Sequence, residues 1–212
     1  MIEPAVSVRP PRIVALGGNA TAGGSAERLL RHALARCETL GAETAIFAGE
    51  AIDLPMYAPH RNERCSKAQK LMDALRDADG IIVASPAYHG TVSGVVKNAL
   101  DYAQDLVSDA QPYFDGRAVG LIAVAGGWQA AGSTLATLRS IAHALRGWPT
   151  PMAVAANSSE PLFDPDGLLS DRGIDRQLGI MAQQLMMFAG MKAAHAATAA
   201  TGQAETLPSP GG

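Results

Sequence analysis

The sequence predicts an α/β fold: a doubly wound parallel sheet of five strands with helices on both faces. Strand-like and helix-like segments alternate along the 212 residues, which is the pattern of such a sheet. The strand-like runs are continuously apolar instead of alternating, as expected for strands buried on both sides. Hydrophobic residues make up 48% and charged residues 17%, so a single domain of this length can bury a sizeable core.

Five apolar runs predict the strands, and a helix is expected after each of them. The strands are predicted at Arg12–Gly17, Glu43–Ala48, Gly80–Ala84, Ala118–Ala125 and Met152–Ala156. In the helical segments, apolar residues recur at three- and four-residue spacing. These apolar faces run from Leu29 to Cys37, Ala68 to Leu75, Val95 to Ala103, Leu135 to Leu145 and Ile174 to Phe188.

Residues that end or cap helices mark the bounds of these segments. Gly41 is placed to end the first helix, and Gly147 and Pro149 the fourth, because these residue types seldom continue a helix. Ser66 and Ser93 precede the second and third apolar faces, so we expect both to act as N-caps.

The domain is expected to span residues 12–192, with flexible tails at 1–11 and 193–212. The residues of the C-terminal segment are small and polar, with many Pro and Gly, which is typical of disorder.

The start of the sequence lacks the charged-then-apolar order of a secretory signal, and no stretch reaches the roughly 20 apolar residues of a membrane span. A net charge of −3 gives no reason to expect a nucleic-acid partner. We therefore expect a cytoplasmic protein that contacts neither membrane nor nucleic acid.

Ligands of open parallel sheets bind at the carboxyl ends of the strands, so the loops there are the candidate sites. The first loop, Gly17–Ser25, is rich in small residues, which lets backbone N–H groups approach an anion at a helix N-terminus. Thr21 and Ser25 add hydroxyl donors. No Gly-Lys-Ser/Thr follows, so this is not a P-loop, and an ordinary strand-to-helix turn is the alternative.

The second loop, Ser85–Gly94, follows the third predicted strand. Pro86 stiffens its start, and Gly90 and Gly94 permit close approach of the backbone. Tyr88 can lie against a flat ring while its hydroxyl stays in water. An ordinary loop that caps the next helix is the alternative.

The third loop, Ala125–Ser133, follows the fourth predicted strand. Gly126 and Gly127 would expose their N–H groups to a ligand in the crevice. Trp128 either borders the site or covers a subunit contact, since Trp often anchors interfaces.

The sequence offers no set of residues for acid–base, nucleophilic or metal chemistry. Cys37 and Cys65 show no metal-ligand spacing and no C-x-x-C pair, and the position of Cys37 on an apolar helical face indicates a buried thiol. The five histidines are scattered singly. Binding loops without such residues suit a cofactor that carries the reaction itself.

One long motif resembles the signature of NADPH-dependent FMN reductases, S-P-x-Y-N-G-x-x-P-G-x-L-K-N-A-x-D-W/Y. Here it reads SPAYHGTVSGVVKNALDY over Ser85–Tyr102. Asp53–Tyr57 (DLPMY) is similar to the D-L-P-x-Y/F of the same family, and Gly126-Gly127 and Phe163-Asp164 add support. The likeness covers about residues 12 to 190.

The resemblance implies a flavodoxin-like fold with sheet order 2-1-3-4-5 and FMN at the point where the winding reverses. It implies that the first loop holds the flavin phosphate and that the second and third loops lie along the isoalloxazine ring. Family members are typically dimers or tetramers, so a homodimer or homotetramer is expected. The cofactor-binding residues that it implies are Gly18, Asn19, Thr21, Gly24, Ser25, Pro86, Ala87, Tyr88, His89, Gly90, Gly126 and Gly127.

The implied reaction transfers a hydride from NADPH or NADH to FMN, and the electrons then pass to an acceptor or a partner monooxygenase. No side chain is expected to act as a base. A quinone, azo-dye or metal-oxyanion reductase with tightly bound FMN is the nearest alternative. A flavodoxin-type electron carrier or a flavin-free relative is also possible, although carriers tend to be strongly acidic and aromatic, unlike this chain with 5% aromatic residues.

Two positions depart from the family pattern. The first loop of the family usually carries an Arg, as in G-S-x-R-x-x-S, and none lies between Gly17 and Ala26. FMN is therefore expected to be held weakly and used as a substrate. The alternative is that an Arg from elsewhere, such as Arg12 or Arg139, reaches the phosphate and restores tight binding. His89 replaces the usual Asn, and it either contacts the flavin or faces solvent.

Overall fold

The computed structural model describes residues 9–61 and 63–204, and these form one mostly parallel sheet covered by helices. The strands are β1 (Arg12–Gly17), β2 (Glu43–Phe47), β3 (Gly80–Tyr88), β4 (Thr91–Val92), β5 (Ala118–Ala125), β6 (Trp148–Pro149) and β7 (Val154–Asn157). The sheet order is β2-β1-β3-β5-β6, with β7 also beside β5 and β4 antiparallel to β3. Since β5 is the fourth predicted strand, the predicted order 2-1-3-4-5 and the predicted fold class are confirmed.

The helices cover both faces of the sheet. They are α1 (Ser25–Thr39), α2 (Ser66–Asp77), α3 (Gly94–Asp101), α4 (Trp128–Ala144) and α5 (Arg172–Ala204), with short 3-10 segments at Gly49–Ala51 and Tyr102–Leu106. Alternate strand residues point to opposite sides, so Val14 and Leu16 pack against α2, α3 and α4, whereas Ile13 and Ala15 pack against α1 and α5.

The fifth strand position is divided between β6 and β7, where the sequence predicts one strand at Met152–Ala156. Proline has no N–H for the ladder, and Pro149 and Pro151 lie at this break. The N–H of Met152 donates instead to Oε1 of Gln184 on α5, at 2.9 Å. The interruption therefore follows from the proline positions.

Two other strand and helix bounds differ from the prediction in a way that shapes the site. Strand β3 continues to Tyr88 because its last residues pair with β4. Helix α4 begins at Trp128, so much of the predicted third loop is helical. Much of what the sequence presents as loop is thus regular structure.

The predicted caps and the C-terminal boundary are correct only in part. Ser93 caps α3, and its Oγ accepts a hydrogen bond from the N–H of Val96. Cys65, not Ser66, is the N-cap of α2, and Ser66 is the first helical residue. Helix α5 continues to Ala204, so the predicted boundary at 192 falls inside a helix. The predicted tail residues 1–8 and 205–212 lie outside the described residues.

The described part of the chain contains no helix that is long and apolar enough to cross a membrane. Among the described residues, no group of three His, Cys, Asp or Glu side chains is placed to hold a metal ion.

Cys37 is fully buried as predicted, and this burial raises the pKa of its thiol to about 12. Cys65 is exposed.

Candidate functional site

A cavity of about 320 Å³ opens at the carboxyl ends of β1, β3, β5 and β7. It lies beside the β1–β3 boundary, where the winding of the sheet reverses and where open α/β sheets bind their ligands. The predicted residues that line it are Gly18, Asn19, Gly24, Ser25, Pro86, Ala87, Tyr88 and Gly126. The structure thus brings most of the predicted residues to one place.

The remaining predicted residues, Thr21, His89, Gly90 and Gly127, are not among the described residues that line this cavity. Sequence reasoning missed four residues that do line it: Ala26, Val124, Ala125 and Ser158. Ser158 directly follows β7, and its N–H donates to the carbonyl of Ala125 at 2.7 Å. The rule used for the other strands, to examine the residue after each strand, would have found it.

The first loop, Gly17–Ser25, is drawn tightly against β3. At Gly17, with φ +146°, a Cβ atom would overlap the carbonyl oxygen of Ala84. The N–H of Gly18 then donates to the same oxygen at 3.0 Å. Gly17 is therefore required by the fold itself, because only glycine combines this φ with so close a contact.

A buried carboxylate lies behind the first loop. Glu27, in the first turn of α1, accepts hydrogen bonds from the N–H of Gly23 at 2.8 Å and from Arg31 at 2.6 Å. Burial alone would raise the pKa of Glu27, but the bonds from Arg31 and Gly23 outweigh it and hold the pKa below its ordinary value. Glu27 is therefore ionised at neutral pH.

None of the described residues that line the cavity has a charged side chain. The structure places Arg12 and Arg139, the alternative sources of a phosphate-binding cation, away from the cavity. Arg12 starts β1 at the opposite end of the sheet and pairs with Asp77 at 3.0 Å. Arg139 donates to the carbonyls of Thr150 and Pro151, both at 3.1 Å. The described residues that line the cavity therefore offer an anion N–H and hydroxyl groups but no cationic side chain.

The second loop forms a tight β-hairpin, Ser85–Ser93, between β3 and α3. Its two turn residues, His89 and Gly90, have φ of +52° and +81°, as in the type I′ turns that favour Asn-Gly. His89 is exposed. The Asn that the family carries at this position is thus explained by the backbone of the turn, because Asn adopts positive φ more readily than most residues.

Two serines fix this hairpin. The fully buried Ser85 accepts a hydrogen bond from the N–H of Ser93 at 2.9 Å and donates to the carbonyl of Pro86 at 2.8 Å. Ser133, on α4, donates to the carbonyl of Gly90 at 2.7 Å. The hairpin is therefore held at its base and at its tip by neutral hydrogen bonds.

Tyr88 links the hairpin to the first loop. Its side chain is 52% exposed, and its hydroxyl donates to Oδ1 of Asn19 at 3.0 Å. Both residues line the cavity, so this bond joins two of its walls.

The asparagine of the long motif, Asn98, fastens the segment that follows β2. Its Nδ2 donates to the carbonyls of Leu54 and Pro55, each at 3.1 Å, and its Oδ1 accepts from the N–H of Tyr57 at 2.8 Å. This part of the motif therefore positions the Asp53–Tyr57 segment and does not itself line the cavity.

Gly126 and Gly127 differ from Gly17 in that the chain does not require them to be glycine. A Cβ atom at either position would meet nothing within 4 Å, and neither has positive φ. At Gly126 the open space belongs to the cavity, so a side chain would only take up room that a ligand could use. Trp128 begins α4 beside them, 56% exposed, and does not line the cavity.

Comparison with known protein sequences identifies the family of this chain. The sequence model of the family described as "NADPH-dependent FMN reductase" matches residues 11–160. The chain belongs to the NADPH-dependent FMN reductase family. An FMN-dependent NADPH-azoreductase from Staphylococcus aureus is 28% identical over 178 residues, which cover 81% of this chain and 91% of that protein.

Solved structures of flavin enzymes share the fold. FerB, a flavoenzyme NAD(P)H:(acceptor) oxidoreductase from Paracoccus denitrificans, superimposes with a TM-score of 0.70 at 17% identity, covering 86% of this chain and 98% of that one. An NADH:FMN oxidoreductase (EMOB) in its apo form gives a TM-score of 0.63 at 21% identity, with coverage of 84% and 89%. The predicted class of enzyme, an NAD(P)H-dependent flavin oxidoreductase with FMN and NADPH or NADH as cofactors, is confirmed by family membership.

Proposed function

We propose that this FMN reductase binds FMN weakly in the cavity described above and uses it as a substrate. The observation that carries the proposal is the absence of charged side chains among the described residues that line the cavity. A charge-assisted hydrogen bond is worth about 1.5–3 kcal/mol, so a relative with an arginine in the first loop would hold FMN roughly 10- to 100-fold more tightly.

Several lining residues have the chemistry that a flavin phosphate and ring would require. The first loop offers backbone N–H groups, the hydroxyl of Ser25 and the N-terminus of α1 to the phosphate. Pro86 and Ala87 would lie along the ring, and the N–H of Gly126 would face its polar edge. When bound, the isoalloxazine ring supplies the hydride and electron chemistry, while these residues orient it and stabilise negative charge on it.

The electron acceptor is proposed to be free flavin, or a flavin-dependent monooxygenase that receives reduced FMN.

We further propose that the protein forms a homodimer or homotetramer and that it is cytoplasmic. The large exposed side chains of Met56, Tyr88 and Trp128 at the carboxyl end of the sheet support a subunit contact there. The free thiols of Cys37 and Cys65 suit a reducing compartment.

Equilibrium dialysis followed by flavin quantification tests how FMN is held. We expect substoichiometric FMN after dialysis, and NADPH oxidation that rises when free FMN is added. Full retention of FMN, with turnover independent of added flavin, would show that FMN is a resident cofactor. Anaerobic titration with NADPH would separate a reductase, whose flavin is bleached, from an electron carrier, whose flavin is not.

Azo-dye reduction is a second candidate function because of the likeness to the Staphylococcus aureus azoreductase. Stopped-flow measurement of NADPH oxidation with FMN, a quinone or an azo dye as acceptor distinguishes the two. The proposal of flavin as substrate requires that FMN be the most efficient of these acceptors.

A further inference from the structure

Glu27 places a negative charge directly behind the loop that is proposed to receive the flavin phosphate. Its side chain is only 5% exposed, and its Oε2 accepts the N–H of Gly23 at 2.8 Å. A Cβ atom built on Gly18, which lines the cavity, would lie 3.4 Å from Cβ of Glu27. The carboxylate therefore occupies the inner side of the loop and already uses one of its N–H groups.

The partner of Glu27 does not cancel this charge at the loop. Arg31 lies one helical turn further along α1, and its side chain is 60% exposed. The ion pair therefore has its negative end buried against the loop and its positive end in solvent. Because solvent screens the exposed guanidinium more than the buried carboxylate, the ion pair contributes a negative field at the loop, which opposes the positive end of the α1 dipole.

We propose that Glu27 is a specificity-determining residue that lowers the preference of this site for FMN over riboflavin. The phosphate dianion of FMN would meet the field of Glu27 and one fewer free N–H group, with no cationic side chain among the described lining residues to offset them. Riboflavin has the same ring and ribityl chain but no phosphate, so Glu27 leaves its binding unaffected. This inference rests on the proposal that the first loop holds the phosphate.

Fluorescence titration of purified protein with FMN and with riboflavin tests the inference without any measurement of turnover. Glu27→Gln keeps the size of the side chain and removes its charge. We expect FMN to bind roughly 3- to 10-fold more tightly to this variant, and riboflavin to change by less than about twofold. Glu38→Gln is the matched control, since it removes the same charge from an exposed position in the last turn of α1. It should leave the ratio of the two dissociation constants unchanged.

Removing the positive charge of Arg31, instead of the negative charge of Glu27, gives a second and independent test. Arg31→Gln leaves Glu27 without its cation, so FMN should bind roughly 3- to 10-fold more weakly while riboflavin changes by less than about twofold. Thermal unfolding of both variants verifies that they are folded, and either one alone suffices for the test. Equal shifts for FMN and riboflavin, or no shift for either, would overturn the inference.

A third variant distinguishes failure of the inference about Glu27 from failure of the proposed function. Ser25→Glu places a carboxylate at the first residue of α1, inside the cavity. If it weakens FMN but Glu27→Gln has no effect, only the role of Glu27 is lost. If it leaves FMN unchanged, the first loop does not hold the phosphate, and both proposals fail.

Discussion

The hairpin Ser85–Ser93 and the first loop Gly17–Ser25 border the same cavity but are held in place by different forces. The hairpin is fixed by strand pairing and by neutral hydrogen bonds from Ser85 and Ser133. The first loop is held by a backbone bond to β3 and by the charged Glu27. Neutral bonds add no long-range field, whereas the carboxylate acts on any charged ligand nearby.

This difference separates two properties of the site. The hairpin is fixed by bonds within the chain itself, so it is suited to fixing the orientation of a ring at little entropic cost. If the first loop receives the phosphate as proposed, the charge of Glu27 suits it to weak and exchangeable binding. Orientation and affinity can therefore be altered independently by substitutions in the two regions.

The largest effect is expected at Gly17, where the first loop is drawn against β3. Gly17→Ala should lower the free energy of unfolding by about 3 kcal/mol or more, because a Cβ atom would overlap the carbonyl of Ala84 and φ is +146°. Gly126→Ala is the control, because its Cβ meets nothing within 4 Å. Its unfolding free energy should stay within about 0.5 kcal/mol of the parent in urea denaturation. Equal losses in both variants would contradict the close contact at Gly17.

A smaller effect is expected from loosening the hairpin at its base. Ser85→Ala removes the acceptor of the buried N–H of Ser93, which should lower the unfolding free energy by about 1–3 kcal/mol. FMN and riboflavin should then weaken by the same factor, because the hairpin concerns the ring. Ser140→Ala, exposed on α4, is the control and should change neither property. A selective loss of FMN in Ser85→Ala would show that the hairpin also serves the phosphate.

Adding charge to the first loop should affect one ligand selectively. Ser25→Glu should raise the Kd of FMN by about 10-fold, which corresponds to about 1.4 kcal/mol, because a second carboxylate would face the phosphate. Riboflavin should change far less in the same fluorescence titration. Ser25→Gln has a similar size without the charge. If it weakened FMN as much as Ser25→Glu does, bulk and not charge would explain the loss.

The strands and the loops at their carboxyl ends could be predicted from the sequence because continuous apolar runs and small-residue loops are local signals. The sheet order and the set of cofactor-binding residues came from the family resemblance. Sequence reasoning missed the break at Pro149–Pro151, where the proline signal was available but was used only to end a helix. It also gave no role to Glu27. Acidic residues are common in the first turn of exposed helices, and only burial shows that this one faces inward. Its place three residues after the N-cap Gly24, as in a capping box, was the available clue.

The smallest effect is expected at the tip of the hairpin, at His89, for which the sequence left both flavin contact and solvent exposure open and which the structure shows exposed. If its role is set by the backbone, His89→Asn should raise the unfolding free energy by about 0.5 kcal/mol, since Asn suits a turn residue with positive φ. The Kd of FMN should not change, because His89 does not line the cavity. His89→Val is the control and should destabilise, because β-branched residues resist positive φ. Weaker FMN binding in His89→Asn, without loss of stability, would instead show that the imidazole contacts the flavin.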